Sequence, residues 1–414
     1  MYVSLGLIIC GNGFFKPNIS TLLGNIYNKE DLKPLKNNAY NIFYMGINSG
    51  ALLCNFAAAY LRNKYSWGYA FGAAGVGMVI GLIVFGFNLK HVRAGDVRKP
   101  PQKEDMNLGQ IGLYVFVPAA IAAIIGFVVP MRLFHGTIMG TQSSDAFVFA
   151  CIPIIAFFIS IWVRANKNDK RGIGALLFIF AISIIFWALF YQNFTAYTLW
   201  TEKHTDRTLS SPAIAGGADW LGLLQTVNTN PRTIDSVDAH LAPVRDASGQ
   251  VLKTTGPDPY FLNVPKDKWP PPGQDLKLAN AELYQSIGPF FIVTLTPLLV
   301  ALFSLLRKRG KEPTTTSKFG IALFLSGLSS LVMLFAVLSV ASIYQYKVSP
   351  AWLWGTYFVI TAAEVFLSPM GLSLVSKLAP PRLTSLLMGG WFLTMSPGQQ
   401  GRRSDDEQLG QIPG

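Results

Sequence analysis

The sequence predicts an all-α protein that crosses a membrane many times. Only 14% of its 414 residues are charged and 51% are hydrophobic, whereas soluble proteins carry about 25% charged residues. Its mean hydropathy is +0.36. The charges cluster between apolar segments that reach the roughly 20 residues a helix needs to cross the hydrocarbon core. This pattern excludes a soluble enzyme, a fibrous protein and a disordered chain.

Nine apolar segments are long enough to be membrane-spanning helices, and a tenth, at 383–395, is too short. The nine are residues 2–26, 41–61, 67–89, 108–131, 146–163, 173–199, 283–306, 319–346 and 350–376. The chain opens inside an apolar segment without a charged leader or cleavage site, so we expect no signal peptide. The abrupt polar change after Leu393 leads us to expect a chain that is incomplete at both ends.

Lysine and arginine in the short connections predict the orientation, because they stay on the cytoplasmic side. The segments assigned to the cytoplasm are 27–40, 90–104, 164–171, 307–318 and 377–382. The polar residues 201–280 then lie on the non-cytoplasmic side, where we expect a small cap or a flexible loop. The net charge of +12 follows from these runs, so we predict an inner-membrane protein that binds the lipid bilayer and no nucleic acid.

Two ionisable side chains, Lys16 and Glu364, lie deep within the predicted spans. Such a residue costs at least ~2.5 kcal/mol at the centre of a membrane helix, so it usually faces a cavity and serves function. One is basic and one is acidic, and they lie in opposite parts of the chain. We therefore interpret both as functional.

Further polar and aromatic side chains at membrane depth accompany this pair. They are Asn12, Tyr44, Asn48, Trp187, Tyr191, Gln192 and Ser368. Several are spaced one helical turn apart and so share a helix face. Patches on four spans predict a polar cavity near the middle of the membrane, as in secondary transporters. We also expect Ser368-Pro369-Met370-Gly371 to break its helix.

The sequence contains no pattern that predicts an enzyme. It has no phosphate-binding loop, nucleophile elbow or zinc-protease motif, and its four histidines are scattered, so we predict no metal site. The glycine pairs Gly68/Gly72 and Gly77/Gly81 have the spacing that lets two membrane helices approach closely. We interpret them as packing contacts.

Four segments carry a family resemblance. Residues 11–20 read GNGFFKPNIS, 43–51 FYMGINSGA, 186–192 FWALFYQ and 364–373 EVFLSPMGLS. They resemble motifs in the fourth, fifth, seventh and tenth helices of the proton-dependent oligopeptide transporters. The resemblance runs from residue 1 to about 393, apart from 201–280, and its seventh-helix match is weaker than the others.

The resemblance implies a partial major facilitator fold, with an extra two-helix hairpin between its halves. The implied parts are 1–89 (helices four to six), 90–171 (cytoplasmic linker with the inserted hairpin), 172–200 (helix seven), 201–280 (polar insert), 281–395 (helices eight to ten and part of eleven) and 396–414 (aberrant polar tail).

The resemblance also implies roles for individual residues. It gives Lys16 to proton coupling and the peptide carboxylate, Glu364 to the peptide amino terminus, and Tyr44 and Asn48 to the bound peptide. Trp391 should lie beside the cavity. We place Ser368 among the substrate-binding residues. The expected gating or cavity-lining residues are Asn12, Trp187, Tyr191 and Gln192.

The chain also departs from the family pattern. Tyr191 replaces a glutamate that forms a gate salt bridge in many bacterial members, and Gly288 replaces an asparagine commonly found at the amine pocket. The acidic motif of the first helix is absent. Proton coupling and amine binding are therefore expected to differ in detail.

The leading hypothesis is a symporter that imports di- and tripeptides by alternating access, with the proton as coupling ion and no other cofactor. An alternative is a facilitator-type transporter of another substrate such as nitrate, which Glu364 opposes because an anion gains nothing from a carboxylate. A further alternative is a non-functional fragment of a peptide transporter, in which case the 414-residue chain does not transport alone.

Overall fold

The computed structural model describes residues 2–97, 108–139, 141–194, 196–246 and 250–396. In these ranges the chain forms twelve helices of eight residues or more. They are α1 Tyr2–Ile26, α2 Lys36–Lys64, α3 Trp67–Phe87, α4 Val117–Phe134, α5 Gln142–Arg164, α6 Lys167–Phe190, α7 Ala196–Lys203, α8 Pro212–Trp220, α9 Ile287–Lys308, α10 Thr315–Leu338, α11 Ala351–Leu378 and α12 Thr384–Leu393.

Each of the nine predicted spans contains a long helix, and eight helices of the described chain are long and apolar enough to cross a membrane. They are α2 to α6 and α9 to α11. Helix α1 has 25 residues but is not one of these eight, because Asn12, Lys16 and Asn18 lower its hydropathy. The structure thus confirms an all-α polytopic membrane protein.

Two predicted spans have different ends in the structure. The segment 173–199 is interrupted, since α6 ends at Phe190 and a 3₁₀ turn, Tyr191–Phe194, separates it from α7. The segment 319–346 was predicted too long, because α10 ends at Leu338. The Ser339 hydroxyl donates to the Ala336 carbonyl at 2.7 Å, which satisfies part of the helix end.

The predicted helix break at Ser368-Pro369-Met370-Gly371 is wrong. Helix α11 continues through Pro369 to Leu378. Proline removes one helical hydrogen bond and its ring crowds the preceding turn, but membrane helices tolerate it where the surrounding packing holds them. Here Leu367 and Met370 on either side of the proline are buried.

The close helix approach predicted at Gly72, Gly77 and Gly81 is absent from the described chain. A Cβ added at any of the three would meet no other atom within 4 Å, and at Gly68 it would meet only the nearby Ser66 side chain. Helix α3 has no buried residue. The glycines therefore do not act as packing contacts within the described residues.

The chain divides into two compact units. Unit 1 comprises Met1–Ile42, Asn88–Tyr191 and Ser368–Gly414; unit 2 comprises Phe43–Phe87 and Gln192–Leu367. In unit 1, α1 packs against α12, and α4 packs along α5 as the hairpin that the sequence predicted. Asp145, 1% exposed, accepts the backbone N–H groups of Ile138 at 2.9 Å and Met139 at 2.7 Å.

Unit 2 contains the polar insert, residues 201–280, which folds around two small sheets. Strand β1 (Leu224–Val227) pairs antiparallel with β4 (Leu276–Ala279), and β2 (Arg232–Asp235) pairs with β3 (Lys253–Gly256). A small core supports them, made of Val227, Tyr260, Phe261 and Leu278. The insert is a folded cap. The polar tail predicted at 396–414 lies outside the described residues beyond residue 396.

Lys347, in the connection between α10 and α11, is held against the insert without a carboxylate in salt-bridge range among the described residues. Its Nζ donates to the Lys203 carbonyl at 2.7 Å and lies 4.3 Å from the Tyr260 ring centroid. Burial, reinforced by Arg207, lowers the pKa of Lys347 from 10.5 to about 7. The acidic groups that oppose this shift are Asp206, Asp258 and Glu202.

We predict that the stability of the chain rises from about pH 7 to about pH 9 because of Lys347. In this range the unfolded lysine keeps a proton that the folded lysine has released, so proton uptake on unfolding becomes less favourable as the pH rises. The rise should disappear in Lys347→Met. Thermal unfolding of both proteins across this range tests the prediction, and parallel pH profiles would contradict it.

Candidate functional site

Glu364 is the buried acidic group of the candidate site. It lies near the middle of α11 and is only 5% exposed. No lysine, arginine or histidine nitrogen of the described chain lies within the 4.0 Å salt-bridge distance of its carboxylate. A carboxylate in this position is costly unless a ligand or a proton compensates it.

Tyr44 of α2 stands beside this carboxylate. The Tyr44 hydroxyl donates a hydrogen bond to Glu364 Oε1, which joins the two helices within unit 2. One turn further along α2, the Asn48 amide donates to the Tyr44 carbonyl at 2.9 Å, and Asn48 is 9% exposed. The structure therefore brings together Tyr44 and Glu364, which the sequence placed on two separate motifs.

Lys16 lies in unit 1, on α1. Its side chain is exposed, as is that of Asn12 one turn earlier. Among the described residues, no carboxylate lies within 4.0 Å of Lys16 Nζ, and its carbonyl accepts the Ser20 hydroxyl at 3.0 Å.

Trp391 and Ser368 are buried in unit 1. Trp391, on α12, is 1% exposed and its ring centroid lies 6.2 Å from that of Phe180. It packs so closely on Gly371 of α11 that a Cβ there would overlap three of its ring atoms. Ser368 is 1% exposed, and its hydroxyl has no hydrogen-bond partner among the described residues.

The aromatic group predicted within the segment 173–199 is present in unit 1. Trp187 is 2% exposed and contacts Phe186, Phe190 and Tyr191 at centroid distances of 5.1, 5.4 and 5.7 Å. Gln192 belongs to unit 2 and is partly buried. Trp187 is thus enclosed by aromatic rings.

Sequence reasoning missed a polar cavity in unit 2, beside the insert. Its volume is about 360 Å³, and its lining includes Arg62, Thr198, Glu202, Arg207, Asn280 and Glu282. Arg62, at the end of α2, forms an ion pair with Glu282, just before α9. The sequence showed a polar segment with charged residues near both of its ends. It did not show that the fold brings Arg62 and Glu282 together.

The chain belongs to the POT family, whose model matches residues 1–228 and 277–402. The unmatched residues 229–276 include β2 and β3 of the insert. This match confirms the resemblance carried by the four helix motifs and assigns the chain to a family of transporters.

Characterised and uncharacterised transporters are among the similar proteins. The chain is 29% identical over 402 residues to the uncharacterized transporter YclF of Bacillus subtilis, covering 96% of this chain and 66% of that protein. It is 27% identical over 402 residues to the di-/tripeptide transporter of Lactococcus lactis subsp. lactis, covering 96% and 67%. The chain thus spans about two thirds of the length of these relatives.

Solved transporter structures share its fold. A POT family transporter in complex with a thioalcohol-conjugated peptide superposes with a TM-score of 0.64 at 20% identity, covering 99% of this chain and 70% of that one. The peptide transporter POT in complex with sulfate gives 0.58 at 23% identity, covering 100% and 69%. These matches support the partial major facilitator fold.

Proposed function

We propose that this protein is a proton-coupled symporter that imports di- and tripeptides by alternating access. The observation that carries the proposal is the buried Glu364 carboxylate, which meets the Tyr44 hydroxyl inside unit 2. A peptide ammonium would supply the positive charge that no described residue provides there. The name of the Lactococcus lactis relative, a di-/tripeptide transporter, supports the same substrate class.

The other predicted residues have proposed roles in transport. Lys16 couples the proton and binds the peptide carboxylate, and Asn48 contacts the peptide beside Tyr44. Ser368 binds the peptide through its hydroxyl, which has no hydrogen-bond partner among the described residues. Trp391 and the predicted gating or cavity-lining residues line the transport pathway. The protein lies in the inner membrane with residues 201–280 on the non-cytoplasmic side.

A nitrate or other anion transporter is disfavoured by the same carboxylate. An anion entering beside Glu364 would meet a buried negative charge, and like charges in a site of low dielectric repel strongly. A zwitterionic peptide instead carries an ammonium for Glu364 and a carboxylate for a cation elsewhere.

Uptake of labelled dialanine tests the proposal. The chain is reconstituted into vesicles, and uptake is measured with an imposed inward proton gradient, without it, and with an uncoupler. We expect accumulation that the uncoupler abolishes, and we expect Lys16→Gln to lose the gradient-driven part. Uptake that ignores the gradient would contradict the symporter and favour a facilitator, and no uptake would contradict it and favour the fragment hypothesis.

A further inference from the structure

The cavity beside the insert contains a buried cation without an adjacent counter-ion. Arg207 is 3% exposed, and no carboxylate of the described chain lies within 4.0 Å of its guanidinium. One terminal nitrogen donates to the Gln225 side chain at 3.0 Å and to the Ala279 carbonyl at 2.9 Å. A buried charge normally requires an ionic partner, so Arg207 is a candidate anchor for an anionic group.

Two N–H donors of the cavity-lining residues are unused. The Nε of Arg207 and the Nδ2 of Asn280 are buried and have no acceptor among the described residues, and Asn280 is 4% exposed. Buried donors are nearly always satisfied in folded proteins. A carboxylate, which offers two oxygens to N–H donors and pairs well with a guanidinium, has the chemistry that these donors need.

The remaining charges select among possible anions. Arg62 and Glu282 already pair with each other, which leaves Arg207 and Glu202 as the other charged residues of the lining. Glu202 is exposed and interacts electrostatically with Arg207 without forming an ion pair with it. An inorganic anion would gain from Arg207 but be repelled by Glu202, whereas a zwitterion matches both charges.

We propose that this cavity is a second binding site for a small zwitterion of dipeptide size, whose carboxylate contacts Arg207 and Asn280 once their side chains turn the unused donors into the cavity, and whose ammonium faces Glu202. Its volume of about 360 Å³ is at the small end of ligand cavities, which run from about 300 to 1,000 Å³. The choice of a peptide as ligand rests on the proposed function. The binding chemistry rests on the cavity alone.

The test measures binding in the 414-residue Glu364→Gln protein, in which the proposed transport site is weakened. Dialanine is titrated by calorimetry into this protein and into versions that also carry Asn280→Asp, Glu202→Gln or Asn230→Asp. Asn280→Asp retains the side-chain size but sets a negative charge against the ligand carboxylate. Asn230, exposed on the same insert, is the matched control, and thermal unfolding checks that each variant folds.

We expect residual dialanine binding that Asn280→Asp weakens roughly 10-fold or more and that Asn230→Asp leaves unchanged. Dialanine amide, which lacks the carboxylate, should bind about 10-fold more weakly than dialanine. Glu202→Gln changes an exposed residue and removes the charge proposed to face the ligand ammonium. It should therefore remove the preference for dialanine over N-acetyl-dialanine, which has no ammonium. Any of three results would overturn the proposal: no residual binding of dialanine, equal effects of the two asparagine variants, or sulfate binding as tight as dialanine binding.

The two proposals fail separately. Residual binding that depends on Asn280 in a protein without peptide uptake would sustain the second site and contradict the symporter. Proton-driven uptake by a protein whose Glu364→Gln variant binds no dialanine would sustain the symporter and contradict the second site.

Discussion

Replacing Glu364 with glutamine is expected to weaken the tighter dialanine binding roughly 10- to 150-fold. The glutamine keeps the shape and still accepts the Tyr44 hydroxyl, but the peptide ammonium loses its charged partner. A hydrogen bond to a charged group in a partly dry site contributes about 1.5–3 kcal/mol, which corresponds to this range of affinity. Calorimetric titration of the purified variant measures the loss.

The expected loss is in binding and not in folding. Glu312→Gln is the matched control, because Glu312 forms ion pairs with Arg307 at 2.6 Å and Lys318 at 2.8 Å in the connection between α9 and α10. It should leave dialanine affinity unchanged. A well-folded Glu364→Gln protein with wild-type dialanine affinity would remove Glu364 from the substrate site.

Replacing Gly371 with alanine is expected to destabilise unit 1 by about 1–3 kcal/mol, the usual cost of an overpacked core. The new Cβ would lie less than 3.0 Å from three ring atoms of Trp391, and Trp391 is itself enclosed, at 1% exposure. The indole ring cannot move away from the new methyl group without disturbing its contact with Phe180.

Gly389→Ala on α12 is the matched control for this substitution. A Cβ at Gly389 would meet no other atom within 4 Å, so alanine there should stabilise the helix by roughly 0.5–1 kcal/mol through its lower conformational entropy. Thermal unfolding should therefore shift down for Gly371→Ala and stay equal or rise for Gly389→Ala. Equal midpoints for the two variants would contradict the close packing of α11 on α12.

The sequence predicted the positions of the long helices because the requirement to cover the membrane core is local. The hydropathy of a span is the sum over its own residues. The segment that forms α5 was therefore identified as a span without knowledge of the helices that pack against it. Helix ends were predicted less well. The end of α10 at Leu338 depends on a serine cap, and the continuation of α11 through Pro369 depends on packing around it.

The candidate site was predictable only in part. The depth of Glu364 followed from its flanking residues, and its role followed from a motif, but the hydrogen bond from Tyr44 joins residues 320 positions apart. The insert was not predictable at all, because its strands have four residues each and its core forms from distant segments. The burial of Arg207 likewise depends on β1 and β4 being paired.

A two-by-two affinity measurement tests amine recognition by Glu364. Dialanine and N-acetyl-dialanine are titrated into protein with and without Glu364→Gln, all in an Asn280→Asp background that disables the second cavity. We predict that the protein retaining Glu364 prefers dialanine roughly 10-fold or more and that the Glu364→Gln variant binds both ligands equally. An undiminished preference for dialanine after Glu364→Gln would contradict the account.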